Sequence, residues 1–101
     1  MSNGKGGCVY ILTNKNHTVL YTGVTSDLYS RMVQHREKHF PKSFTARYNC
    51  STLVYFIPFH TIEEAIAEEK RIKGGSRNQK INLINSMNPE WVDLWTDVSK
   101  W

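Results

Sequence analysis

The chain has little of what builds several familiar classes of protein. Its two cysteines, Cys8 and Cys50, make neither a disulfide framework nor a zinc cluster. That scarcity fits a reducing, cytoplasmic setting. No unbroken apolar run exceeds the five residues of Cys8–Leu12, far short of the ~20 residues that a membrane-crossing helix needs. Met1–Gly7 carries a lysine but no apolar stretch, so no signal peptide is read there. No P-loop, GxGxxG or HExxH motif occurs, and Ser26 and Ser76 stand at helix-cap positions, which leaves a Ser-His-Asp triad without support. There is no internal repeat and no linker. A membrane protein, a disulfide scaffold, a multidomain enzyme and a solenoid are thereby excluded.

What is present suits one small globular domain: 101 residues, 40% hydrophobic, 12% aromatic and 22% charged. Thirteen Lys and Arg against nine Asp and Glu give a net charge of +4. The excess is uneven. Residues 1–47 carry seven positive and two negative charges, residues 48–60 carry none, and the C-terminal stretch is acidic. Clustered positive charge is the footprint of a nucleic-acid binder, although the same net charge also suits an ordinary soluble surface.

Cys8–Leu12 reads as a buried strand, Thr13–His17 as turn chemistry and Thr18–Gly23 as a second strand, together an antiparallel hairpin. Ser26 or Asp27 caps a helix running to about Lys38. Phe40–Asn49, with Pro41, reads as a loop. Leu53–Ile57 is β-branched and aromatic, a third strand stopped by Pro58. Thr61 with Glu64 opens a second helix as a capping box, and Gly74-Gly75 closes it. Ser76 with Gln79 opens a third, which Asn88-Pro89 stops after Met87. The order β-β-α-β-α-α predicts an α+β domain, a small three-stranded antiparallel sheet flanked by helices. Trp91, Leu94, Trp95 and Trp101 are expected to dock on it.

Several polar residues stand where packing favours apolar ones. Ile62, Ala65, Ile66 and Ile72 form the apolar stripe of the second helix, and Glu69 falls near its centre. A carboxylate there either binds a cation or reaches the rim and pairs with Lys73, four residues on. Arg31 and His35 share a face of the first helix. They are either a phosphate grip with a proton-transferring imidazole or part of a solvated basic face. Tyr10 and Tyr21, in the hairpin strands, are either site phenols or ordinary strand aromatics.

Taken together, Val9-Tyr10-Ile11, Tyr21-Thr22-Gly23, Arg31, His35 and a helical Glu69 resemble the GIY-YIG nuclease superfamily, in particular its small single-domain bacterial members. The stretches YTGVTSDLYSRMVQH, LVYF, EEAIAEEKRIKG and SMNPEW carry the same likeness. The first motif has Cys8 in place of its leading Gly. Val24-Thr25 stand where some members carry a Lys. Asn82 is the candidate for a late Asn seen in repair-type members. The resemblance implies a division into residues 1–6 as a flexible N-terminus, 7–88 as the nuclease-like domain and 89–101 as a Trp-rich tail docking on it.

The resemblance further implies a metal-dependent DNA endonuclease of structure-guided or low sequence specificity, acting in repair or recombination. Glu69 would hold Mg²⁺ or Mn²⁺. Tyr10 would take a proton from the attacking water, given a nearby cation to lower its pKa. Arg31 would neutralise phosphate charge, His35 would orient phosphate or relay a proton, and Tyr21 would bond near the site. Gly23 would let backbone approach the substrate. Lys15, Lys42 and Arg47 would contact phosphates. DNA is the expected partner, with RNA open. The chain would be a monomer or weak homodimer, with a further protein lending specificity. Two other readings stay open. One is a binding module with the nuclease fold and little cleavage. The other is an interaction protein docking through its Trp-rich tail.

Overall fold

The apolar run at Cys8–Leu12 forms the middle of the sheet. A computed structural model describes residues 6–37 and 42–100. The elements in chain order are β1 (Gly7–Thr13), β2 (Leu20–Thr25), α1 (Leu28–Arg36), α2 (Phe44–Arg47), β3 (Thr52–Phe59), α3 (Ile62–Lys73), α4 (Arg77–Met87) and α5 (Trp95–Val98). The sheet is antiparallel, in the order β2-β1-β3. A central strand is covered on both faces, which is why β1 reads as a continuous apolar run rather than an alternating one.

The alternation reappears in the packing. Cys8, Tyr10 and Leu12 face a core shared with Leu28 and Met32 of α1 and Val98 of α5. Val9 and Ile11 face the other way, against Ala65 and Ile72 of α3 and Ile84 of α4. The domain is therefore a sheet between two helical layers. Burying a side chain the size of Ile11, Leu12 or Met32 contributes ~1.5–3 kcal/mol. Close approach of α3 depends on Gly7: a Cβ there would stand 2.7 Å from Ala65 Cβ.

The expected caps form. Asp27 Oδ1 accepts from Ser30 N at 3.1 Å. The boxes Thr61/Glu64 and Ser76/Gln79 are closed in both directions. The C-terminal segment is held by Asp93, whose Oδ1 accepts from Leu53 N at 3.2 Å and whose Oδ2 accepts from Arg36 at 3.0 Å. Trp91 packs on the α3/α4 side of the sheet, and Leu94 and Trp95 on the α1 side.

Four expectations need correction. The second strand begins at Leu20, not Thr18, because Asn14 Oδ1 accepts from both Thr18 N (2.8 Å) and Val19 N (3.0 Å) and holds the loop open. That strand also continues past Gly23 to Thr25. Pro58 does not stop the third strand, which runs to Phe59. β3 is an edge strand, where a missing N–H is tolerated. The stretch expected as loop contains α2, one turn capped by Ser43, and the tail contains α5. The expectations for Met1–Lys5, for the end of the first helix at Lys38, for Pro41 and for Trp101 fall outside the described residues. Among the described residues no helix is long and apolar enough to cross a membrane.

Candidate active site

The site starts from one cross-strand pair. Tyr10 in β1 stands opposite Gly23 in β2 and is fully buried. A Cβ at Gly23 would lie 2.5 Å from both Cζ and Oη of Tyr10. Gly23 thus makes room for the phenol. Tyr21 lies on the same face, its ring centroid 6.4 Å from that of Tyr10.

Helix α1 brings Arg31 and His35 to the same phenol. Leu28 and Met32 bury its apolar side. Tyr10 Oη and His35 Nε2 are 3.1 Å apart, and Arg31 donates a hydrogen bond to the phenol oxygen. Burial, and next Tyr21, push the phenol up to about 12. Arg31 acts in the lowering direction that the sequence reading asks of a cation, but burial outweighs it. Burial and then Arg31 bring His35 down to about 4, so its imidazole is neutral at neutral pH. On its other side, His35 Nδ1 lies 2.9 Å from Thr45 Oγ1, so both ring nitrogens are hydrogen-bonded.

Glu69 reaches the site from the other helical layer. It is 8% exposed, and its Oε2 accepts from Lys73 Nζ at 2.7 Å. This is the pairing weighed for it, and it holds Lys73 above its usual pKa. Lys73 Nζ also lies 5.9 Å over the Tyr21 ring, so the C-terminal end of α3 leans toward the edge strand β2. Glu68, one residue earlier, pairs with Arg71 on the surface.

A cavity of about 180 Å³ opens beside these groups, lined among others by Tyr21, Arg31, Gln34, His35, Phe44 and Thr45. That is room for a phosphodiester group rather than a drug-sized ligand. Among the described residues, no three His, Cys, Asp or Glu side chains gather as a metal cluster. A single carboxylate nonetheless fits a hard cation that keeps its waters and takes phosphate oxygens. The ammonium already seated on Glu69 marks the place as one that accepts positive charge.

Tyr10, Tyr21, Arg31 and His35 are thus brought together, with Glu69 joined to them through Lys73. The expected phosphate contacts are scattered. Lys15 is exposed in the β1–β2 turn, Lys42 is exposed just before α2, and Arg47 lies 5.7 Å over the Tyr48 ring. Asn82 lines a separate, larger cavity between α3 and α4. Thr45 and Phe44 were not foreseen. The only local signal was Ser43, three residues before the amide it caps.

The model of the GIY-YIG catalytic domain matches residues 6–82. The chain belongs to the GIY-YIG family. β1 and β2 carry its two name motifs, here with Tyr10 and Tyr21 facing the same cavity-bearing layer. This GIY-YIG chain is 41% identical over 78 residues to the UPF0213 protein CPE1444 of Clostridium perfringens, covering 77% of this chain and 82% of that one. It is 35% identical over 77 residues to the UPF0213 protein SSP2268 of Staphylococcus saprophyticus, covering 76% and 92%. The solution NMR structure of the UPF0213 protein BH0048 from Bacillus halodurans matches with a TM-score of 0.55 at 30% identity, covering 87% and 92%. The α+β architecture is that of this family.

Proposed function

We propose that the protein is a divalent-metal-dependent DNA endonuclease of low sequence specificity, working in DNA repair or recombination. The observation that carries this reading is the 3.1 Å hydrogen bond between Tyr10 Oη and Nε2 of a neutral His35, with Arg31 on the same phenol. Glu69 would hold Mg²⁺ or Mn²⁺. A cation bound there supplies charge neutralisation on the phosphate oxygens. Arg31 presents its fork to the non-bridging oxygens as charge builds on phosphorus.

The phenol is protonated at neutral pH, so it acts as a relay rather than as a ready base. Its oxygen takes the proton of the attacking water while its own proton passes to His35 Nε2. The new P–O bond forms, the bond to the departing oxygen breaks, and that oxygen takes a proton from solvent. Thr45 holds the imidazole in the receiving tautomer. Lys73, which pairs with Glu69 and lies near Tyr21, would be free to offer its ammonium to the phosphate if Glu69 held a cation. Gly23 acts by seating Tyr10. Lys15, Lys42 and Arg47, all exposed, would contact the phosphate backbone. The two buried free thiols suit a cytoplasmic setting. A monomer or weak homodimer, with a partner adding specificity, suits so small a basic surface.

A second reading, a nucleic-acid-binding module that cleaves poorly, is favoured by the Lys73–Glu69 pair, which opposes metal entry. The deciding experiment is cleavage of plasmid, single-stranded, flap and branched DNA by wild type and Glu69→Gln in Mg²⁺, Mn²⁺ or EDTA. Cutting that needs metal and falls by roughly 10²-fold or more in Glu69→Gln supports the nuclease. Binding without cutting under every condition leaves the module, and full activity in Glu69→Gln removes the assigned ligand.

A further inference from the structure

Helix α2 turns two faces in opposite directions. Thr45 is buried and tied to His35, and Ser43 Oγ caps the helix by accepting from Ala46 N at 3.3 Å. Phe44 and Tyr48, four residues apart on the other face, remain 47% and 43% exposed. Their rings lie 4.7 Å apart. Phe44 also stacks on Tyr21, with centroids 5.8 Å apart and planes 29° from parallel. Tyr21 in turn lies 6.4 Å from Tyr10 and 6.1 Å from His35. A ladder of rings therefore leads from the buried phenol out to two rings in water.

The outer end of the ladder is basic. Arg47 lies over the Tyr48 ring, and Lys42 is exposed just before the cap. Residues 42–60 contain no Asp or Glu. Two large rings exposed to water, beside a cavity lined by Arg31 and His35, call for a flat apolar occupant with negative charge next to it.

We infer that Phe44 and Tyr48 are a stacking subsite for an unpaired DNA base flanking the phosphate held at Arg31, which gives the protein a preference for single-stranded DNA. The inference rests on the nucleic-acid reading above and narrows its substrate. In a duplex both faces of each base are covered by neighbours, so these rings can engage only an unpaired base. Arg47 and Lys42 then meet the phosphates on either side of it. A second copy of the chain is a poorer occupant, because a two-fold contact through this face would bring the same cations together.

The test is fluorescence anisotropy in EDTA, where no cutting is expected, with an end-labelled oligo-dT and a duplex of equal length. The Phe44→Leu/Tyr48→Leu double variant keeps apolar side chains on α2 but removes both ring faces. It should bind oligo-dT roughly ten- to hundred-fold more weakly. Duplex affinity should stay within about two-fold, and the salt dependence of both should be unchanged. A Phe44→Trp/Tyr48→Trp double variant should bind oligo-dT as tightly as wild type, which separates stacking from folding. Equal losses on both DNAs, no loss, or failure of the tryptophan pair to rescue overturns the subsite. Wild-type protein that binds and cuts duplex without favouring oligo-dT overturns the subsite and leaves the nuclease standing. Failure to bind either DNA overturns both. A dimer that the leucine variant disperses, with oligo-dT affinity unchanged, assigns the face to a second copy instead.

Discussion

Gly23→Ala should disable the site through a single added carbon. The new Cβ would stand 2.5 Å from Tyr10 Cζ and Oη and 2.9 Å from Cε1, against an ordinary carbon–carbon approach of about 3.5–4.0 Å. The phenol must therefore move by about 1 Å. It is fully buried between α1 and the sheet, so the displacement cannot be taken up in solvent. Overpacking of this kind costs about 1–3 kcal/mol. A 1 Å shift also stretches the 3.1 Å contact with His35 beyond hydrogen-bonding range. Cleavage should fall by about 10²-fold, as misplacement on that scale does elsewhere. The assay is a cycle of urea unfolding and cleavage on wild type, Gly23→Ala, Tyr10→Ala and the double variant. With Tyr10 truncated the clash is gone, and alanine should then stabilise the strand relative to glycine by about 0.5–1 kcal/mol. The sign of the Gly23→Ala effect should thus reverse with the residue at position 10. Additive stabilities, or a Gly23→Ala protein as active as wild type, would refute the argument that this glycine seats the phenol.

Two stability predictions follow from buried polar groups. His35 has a folded pKa of about 4 against 6.5 for the free side chain. The unfolded chain therefore binds a proton that the native one refuses between those values. The stabilising contribution is whole above pH 6.5 and is lost as pH falls toward 4. After discounting for the partial exposure of the ring, wild type should lose about 1–2 kcal/mol more than His35→Gln between pH 7 and 4.5 in urea titrations. Parallel curves for the two proteins would contradict it. Thr22 Oγ1 is buried on β2 with no hydrogen-bond partner among the described residues. Thr22→Val keeps the shape and the strand preference while removing the orphan, so it should stabilise by about 1 kcal/mol, or ~4–8 °C in Tm. A lowered Tm would mean that the hydroxyl has a use.

The features legible in the sequence are those written locally. Asp27, Thr61 with Glu64 and Ser76 with Gln79 each announce a helix within four residues, and each cap forms. Glu69 stood out because a carboxylate on an apolar stripe needs a reason, whereas Tyr10, Arg31 and His35 became legible as a set only through the resemblance to the two GIY-YIG motifs. What stayed hidden depends on residues far apart in the chain. Pro58 is harmless only because β3 lies at an edge, and Gly23 is required only because the register sets it under Tyr10. Helix α2 is a single turn without periodicity, held by Ser43 and by the bond from His35 to Thr45.

Lys73 carries this point furthest. Read along the strand, Val24-Thr25 lack the cation that some relatives place after the second motif. Read through space, α3 brings an ammonium to 5.9 Å from the Tyr21 ring of that same motif. The two readings weighed for Glu69, a rim pair with Lys73 and a place for a cation, are therefore not rivals. The ion pair keeps a buried carboxylate neutralised, and under the proposed function a cation at Glu69 would leave the lysine free beside the groups that would hold the phosphate. The positive charge nearest the second motif thus comes from a residue about fifty positions on in the chain, which no reading along the strand could show.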